Sequence, residues 1–255
     1  MNGQSVYGMI FAAGIGSRLA PITQTIPKAL VPVNGIPVIE YAIKRYIEAG
    51  ITNIVINVHH FADKIEEYLK KNNFFNINIL VSDERRLLLD TGGGLAAAHK
   101  YLKNAETIVV SNADILTDFN IKDLLNAHIQ DNNNVTMLVS DRKSSRLLYF
   151  DNNSRRLCGW ANIKTGQTLP EGFKIEDENK FHHAAFGGIH VLDKHTLDNL
   201  SCYKKQEVFS IIPYYVEHCH DLLIREYTSP NPYLWHDIGT IDKLKTAEKE
   251  WQDKY

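Results

Sequence analysis

Short apolar runs recur at residues 6–11, 54–58, 77–81, 107–110 and 135–139, each bounded by polar or glycine-bearing stretches. Runs of this length with no polar face read as strands buried on both sides. Between them the pattern takes the helical period. Residues 37–49 open with proline and stop before Gly50, residues 63–71 begin at Asp63 as a capping residue, and residues 95–102 follow a triple glycine. Strand and helix alternate, which predicts parallel strands joined by right-handed crossovers, with ligands bound beyond the carboxyl ends of the strands.

After residue 139 the alternation stops. Residues 146–150, 155–160 and 184–191 read as strands with turn-rich connections, "FDNNSRR" and "IKTGQTLPEG", and predict a smaller, more antiparallel lobe. Helix resumes at 208–218, where Ile211, Tyr214, Tyr215 and Val216 are expected to pack on the sheet. A strand at 222–227, the loop "TSPNPYLWHDIGT" and a terminal helix from residue 241 complete the pattern. A loop that long, presenting Trp235, His236 and Asp237, is expected to carry function.

Composition narrows the picture. The chain has 255 residues, 44% of them hydrophobic, enough for one large domain with a substantial core. A formal net charge of -2 with dispersed basic residues gives no basic face, so a small molecule is expected as partner and nucleic acid is not. No apolar run reaches the roughly 20 residues of a membrane span, and "MNGQSVYGMIF" lacks a basic leader and cleavage site, which predicts a cytoplasmic protein without a membrane partner. Cys158, Cys202 and Cys219 fall in no metal-site or disulfide spacing and are expected to be reduced. The pairs His59/His60, His182/His183 and His218/His220 lack a third ligand at a recognisable spacing.

The densest candidate chemistry is "FAAGIGSRLAPITQTIPKALVPV", residues 11–33, directly after the first strand. It is no P-loop, because no Gly-Lys-Ser/Thr follows at the required offset. Leu19 stands where a dinucleotide fingerprint has its third glycine. Gly14 and Gly16 let backbone amides approach an anion, and Arg18 and Lys28 supply cations for phosphate oxygens. The plainer alternative is a tight strand-to-helix turn with both cations solvated.

The complete string "GIGSRLAPITQTIPKALVPVNGIPVIEY" resembles the signature of the sugar-phosphate nucleotidyltransferases, Gly-x-Gly-x-Arg-Leu, then Pro-x-Thr, then Pro-Lys-x-Leu-x-Pro-Val. "DTGGGLAAA", "VVSNADIL", "FGGIHVL" and "WHDIGTIDKLKTAE" extend the resemblance through most of the chain. "TGGG" and "WHDIGT" are most similar to the N-acetylmuramate-1-phosphate uridylyltransferase group, with mannose- and heptose-1-phosphate guanylyltransferases close behind.

The resemblance implies an α/β fold of the nucleotide-diphospho-sugar transferase type. That is a Rossmann-like, mixed but mainly parallel sheet flanked by helices, with a smaller antiparallel sugar-binding lobe. Residues 1–140 would be the nucleotide-binding part, 141–240 the sugar lobe and late metal loop, and 241–255 a C-terminal helix. The implied reaction joins a sugar 1-phosphate to an NTP, expected to be UTP with GTP as the alternative, with release of pyrophosphate.

On the same basis Arg18 and Lys28 carry catalysis. Ala13, Gly14, Gly16, Ser17, Ser82, Glu84, Gly92 and Gly93 surround the nucleotide. Thr91, Asn112, Gly187, Gly188 and Trp235 face the sugar, and Asp114 and Asp237 hold Mg²⁺. Each aspartate has a plainer reading as a cap or turn former. Glu84, inside "SDERR", is expected to be exposed and indifferent to the base, leaving backbone groups near Ala13, Gly14 and Ser82 to read it. The chain lacks the Glu-Lys-Pro lysine with which many family members contact the sugar phosphate, and Lys164 in "IKTG" is expected to be an ordinary solvated lysine. Two other functions stay open: a phosphocholine-type cytidylyltransferase and a catalytically silent nucleotide sensor.

Overall fold

A computed structural model describes residues 5–174, 179–203 and 205–254. Residues 1–4, part of the stretch read as lacking a leader, lie outside the described residues. The first half contains β1 (Val6–Phe11), the short hairpin β2 (Pro32–Val33) and β3 (Ile36–Pro37), α1 (Val38–Glu48), β4 (Asn53–Val58), α2 (Ala62–Lys71) and β5 (Asn78–Asp83). It continues with α3 (Asp90–Leu102), β6 (Thr107–Asn112), β7 (Ile115–Thr117), α4 (Ile121–Gln130) and β8 (Val135–Ser140). The second half contains β9 (Arg146–Asp151), β10 (Leu157–Asn162), β11 (Gln167–Leu169), β12 (Phe181–Asp193), α5 (Lys194–Ser201), α6 (Ile211–Glu217), β13 (Ile224–Tyr227), β14 (Trp235–Asp237) and α7 (Ile241–Lys254).

One ten-stranded sheet runs through both parts, in the order β11-β10-β9-β12-β6-β1-β4-β5, with β8 and β13 joined beside β12. β5, β4, β1 and β6 are mutually parallel, and β8 pairs parallel with β13. β12 is antiparallel to β6 and β8, and its first residues pair with β9 in the antiparallel lobe. The expected mixed, mainly parallel sheet with an antiparallel extension is therefore present. β10 lies two residues beyond the expected 155–160, and β12 outruns the expected 184–191 at both ends, because it continues through the boundary between the two parts.

Apolar runs become strands because both their faces are covered. Met9, Val55, Ile108 and Val110 pack under α3, α5 and α6, while Ile10, Ile54, Ile56 and Val109 pack under α1 and α2. Tyr214 and Tyr215 are buried in the first of these clusters with Ile211 and Val216, as their spacing implies.

Two helix starts differ from expectation. Asp63 is not the cap of α2. It lies inside the first turn, where its carboxylate accepts from Arg85 Nη2 at 2.7 Å. α3 begins at Asp90 and takes the triple glycine into its first turns, where Gly92 and Gly93 pack against residues 207–209.

Candidate active site

β1 is followed on one side by β4 and β5 and on the other by β6, so the connections diverge between β1 and β6 at the carboxyl edge. Divergent connections leave a crevice there. It is a cavity of about 400 Å³ lined by residues 11–14 after β1, Asn57 at the end of β4, Glu84 after β5, Asn112, Ala113 and Asp114 after β6, and Lys28. Leu88 and Val208 add apolar wall beside Asp90 and Thr91.

A chain of hydrogen bonds ties three of these loops together. Asn57 accepts the Ala12 amide at 2.8 Å and donates to Glu84 Oε1 at 2.7 Å, and Glu84 Oε2 accepts the Leu89 amide at 3.1 Å. Glu84 is thus 3% exposed, and the expectation of an exposed side chain is corrected. Adjacent charges in "SDERR" suggested solvent, but Asn57 and the Leu89 amide satisfy the carboxylate inside the fold. Burial raises its pKa above the usual carboxylate value, partly opposed by the bonds from Asn57 and Leu89. Gly94 lies on this pair: a β-carbon there would stand 2.8 Å from Glu84 Oε1 and 3.0 Å from Asn57 Nδ2.

The two glycines of the first loop divide their work. Gly14 borders the cavity with nothing within 4 Å of its β-carbon direction, leaving room for a ligand close to the backbone. Gly16 faces the protein. Its φ of 72° is left-handed, and a β-carbon would meet Lys28 Cβ at 2.9 Å. Thr23 donates to the Gly16 carbonyl at 2.8 Å, so the turn holds the stem of Lys28 in place. Ser17 and Arg18 are exposed above the turn. Ala13 lines the cavity, whereas buried Ser82 lies on β5 outside the lining.

Asp114 and Asp237 come together. β7 and β14 pair antiparallel with Asp237 opposite Ile115, and the Ile238 amide donates to the Asp114 carbonyl at 2.9 Å. Asp114 is ion-paired with Lys28, and Asp237 accepts from Lys243 Nζ at 2.7 Å. A β-carbon on Gly239 would stand 2.6 Å from Asp237 Oδ1 and 3.3 Å from Arg18 Nη2, so both side chains approach Gly239. Two hard carboxylates beside a ligand cavity suit Mg²⁺, which commonly takes one or two carboxylates and fills its shell with phosphate oxygens and water. Among the described residues no group of three or more His, Cys, Asp or Glu could hold a metal ion by itself. Among the paired histidines, His182 bonds Glu226 at 2.7 Å, and His218 stacks on Tyr214.

Gly92 and Gly93 are not turned to the cavity. Their amides donate to the Phe209 carbonyl at 2.8 and 3.1 Å. β-Carbons on them would come within 2.4 Å of the Phe209 ring and 2.3 Å of the Glu207 carbonyl oxygen. They let α3 close onto residues 207–209. Thr91 borders the cavity, and its hydroxyl accepts the Ile211 amide at 3.0 Å. Asn112 lines the cavity wall, and Gly188, with φ 75°, leaves room for Asn112 Nδ2 and Ile115. Trp235 lies in a separate cavity of about 940 Å³ toward the antiparallel lobe, where its indole N–H donates to the Gly187 carbonyl at 2.8 Å.

Sequence patterning missed Asn57, Leu88, Val208 and Arg142. For Asn57 a signal exists, a lone amide in the buried run "NIVINV". Val208, 42% exposed although apolar, stands out only once α3 and residues 207–209 are seen together. Arg142 sits in the charged stretch "SDRKSSR", indistinguishable there from surface.

The chain is 28% identical over 240 residues, 94% of this chain and 96% of the relative, to the N-acetylmuramate alpha-1-phosphate uridylyltransferase of Neisseria meningitidis serogroup B. It is 39% identical over 108 residues to the protein of the same name from Caulobacter vibrioides, an alignment that covers 42% of this chain and 44% of that one. The fold matches the crystal structure of apo UDP-glucose pyrophosphorylase with a TM-score of 0.78, at 18% identity, over 98% of this chain and 99% of that one. No helix among the described residues is long and apolar enough to cross a membrane. The model of the nucleotidyl transferase family matches residues 7–158, more than half of the sequence, and the chain belongs to that family.

Proposed function

We propose that this protein transfers a uridylyl group from UTP to a sugar 1-phosphate, with N-acetylmuramate 1-phosphate as the sugar substrate, in the cytoplasm. The observation that carries the proposal is the meeting of Lys28, Asp114, Asp237 and Arg18 at the carboxyl edge, beside a nucleotide-sized cavity with an open glycine at its rim. The near full-length similarity to a uridylyltransferase supports the choice of substrates.

In the proposed reaction an oxygen of the sugar phosphate attacks the α-phosphorus of UTP. The bond from that phosphorus to the bridging oxygen breaks, and pyrophosphate leaves with the bonding electrons. No covalent enzyme intermediate is needed. The protein's task is to align two polyanions and neutralise charge that grows on the leaving group. Amides at residues 13 and 14 receive the phosphates, the Arg18 fork takes pyrophosphate oxygens, and Lys28 moves its charge from Asp114 onto phosphate. Asp114 and Asp237 would hold Mg²⁺, which when bound would supply neutralisation of phosphate charge. To hold the ion, Asp114 would give up its pairing with Lys28 and Asp237 its bond from Lys243.

A second reading, GTP as the nucleotide, is favoured by Glu84. Each carboxylate oxygen accepts one internal bond and keeps a further lone pair, and the group borders the cavity, where the two N–H donors of guanine could reach an acceptor. Uracil offers one such donor. Comparing kcat/KM for UTP, GTP and CTP with N-acetylmuramate 1-phosphate and mannose 1-phosphate tests the choice. UTP is expected to lead, and a higher value for GTP would replace it.

A further inference from the structure

β12 does not pair regularly along its length. Against β8, Ala185 faces Ser140 and Phe186 faces Val139, but the next registered pair is His190 with Met137, so Gly187, Gly188 and Ile189 bulge out of the ladder. Bulges of this kind re-aim groups at the rim of a site. The Gly187 carbonyl accepts the Trp235 indole N–H at 2.8 Å, and the Phe186 carbonyl accepts Arg142 Nη2. Both side chains are therefore fixed to one short segment. The guanidinium stacks over the indole with its carbon 4.0 Å from the ring centroid.

The guanidinium is only partly satisfied. One Nη2 bond goes to a neutral carbonyl, and the buried Nε finds no hydrogen-bond partner among the described residues. Asp237 and Tyr233 are the groups whose charges reach it, and it makes no salt bridge among the described residues. A half-buried cation facing mostly neutral groups is costly unless an anion arrives. The other cations around the carboxyl edge differ: Lys28 is committed to Asp114, Lys243 to Asp237, and Arg18 stands on the first loop. Lys164 is exposed in a turn, its amide bonded to Asn162 Oδ1 at 3.1 Å, on the far hairpin of β10 and β11.

We propose that Arg142, stacked on Trp235, binds the phosphate of the sugar 1-phosphate and presents it to the nucleotide. The assignment rests on the transferase reading above. The phosphate, rather than another acidic group of the sugar, is the ligand, because Arg142 lies near Asp237 and only the phosphate must reach that carboxylate's side of the crevice. A bracing role for the segment 186–188 requires one donor. A planar guanidinium over an indole, with one Nη bond to a carbonyl, keeps further N–H groups for phosphate oxygens.

Steady-state kinetics with UTP and N-acetylmuramate 1-phosphate test this on the wild type, Arg142→Gln and Arg142→Lys, with calorimetric titration of UTP and of the sugar phosphate alongside. Gln can still donate to the Phe186 carbonyl but carries no charge, so it separates bracing from anion binding. KM for the sugar phosphate is expected to rise about 10- to 100-fold in Arg142→Gln, as for loss of a hydrogen bond to a charged group, with KM and Kd for UTP within about 2-fold of wild type. Arg142→Lys should recover part of the loss. Sugar-phosphate KM within about 3-fold of wild type in Arg142→Gln, or an equal rise in KM for both substrates, would overturn the assignment while leaving the transferase reading intact. A wild type that releases no pyrophosphate with any sugar 1-phosphate would overturn both.

Discussion

The Ile238 amide donates to the Asp114 carbonyl at 2.9 Å, and this bond, at the end of the β7–β14 ladder, sets Asp237 beside Asp114 although nearly half of the chain lies between them. Backbone pairing rather than a flexible loop holds these two carboxylates, as the metal role proposed for them requires. Asp114→Asn and Asp237→Asn should each lower kcat by about 100-fold or more, since each removes an anionic ligand while keeping the shape of the side chain. Exhaustive removal of divalent ions with EDTA should abolish turnover, and Mg²⁺ should restore it. Circular dichroism and thermal melts of both variants should match wild type. Full activity in metal-stripped protein would refute the metal role.

Arg18 stands exposed beside Asp237 above Gly239. Arg18→Lys keeps the charge but loses the planar fork that two pyrophosphate oxygens need. Its kcat/KM should fall roughly 100-fold, the scale of losing one positioned donor to developing charge. Tm should move by less than about 2 °C, because an exposed side chain contributes little to stability. Near-native kcat/KM in Arg18→Lys would exclude the forked contact.

Gly14 and Gly93 make opposite forecasts from one residue type. A β-carbon at Gly93 would stand 2.3 Å from the Glu207 carbonyl oxygen, and one at Gly14 meets nothing within 4 Å. Gly93→Ala should destabilise the protein by about 1–3 kcal/mol through overpacking, read by urea denaturation. Gly14→Ala should leave stability unchanged within about 0.5 kcal/mol yet weaken UTP binding, because the new methyl occupies the rim where phosphate approaches the backbone. A stability loss at Gly14 with unchanged UTP affinity would reverse the assignment.

How much of this was legible in the sequence depends on how far apart the interacting residues are. The first loop could be read because its turn, its glycines and both cations lie within one stretch, and its alternation with helices gave the parallel sheet. Glu84 could not, because its burial depends on Asn57, contributed by another strand. Gly92 and Gly93 looked like a ligand cradle because their packing partners, residues 207–209, arrive late in the chain. α4 was overlooked although its signal is local: Asn120 caps it by accepting the Lys122 amide at 3.1 Å, and Ile121, Leu124, Leu125 and His128 form its buried face. The seat of Trp235 depends on a bulge in β12 that no periodicity reveals.

Glu84 also predicts a pH dependence. Its folded pKa is raised above 4.5, chiefly by burial, so the folded state holds this proton more tightly than the unfolded chain. The resulting stability is fully present below 4.5 and is lost as pH rises through the folded value. Glu84→Gln removes this titration. Denaturation of both proteins between pH 4.5 and 7 should show wild type gaining on the variant as pH falls. A difference that is constant with pH, or that changes in the other direction, would contradict the buried, desolvated carboxylate.

The central claim, nucleotidyl transfer from UTP to a sugar 1-phosphate, is tested most directly by incubating the purified protein with UTP, N-acetylmuramate 1-phosphate and Mg²⁺ and quantifying pyrophosphate and the nucleotide product together. The account predicts equal amounts of pyrophosphate and UDP-sugar, formed only when both substrates are present. Release of orthophosphate in place of pyrophosphate, or no pyrophosphate above the rate with UTP alone for any sugar 1-phosphate and any NTP, would contradict it.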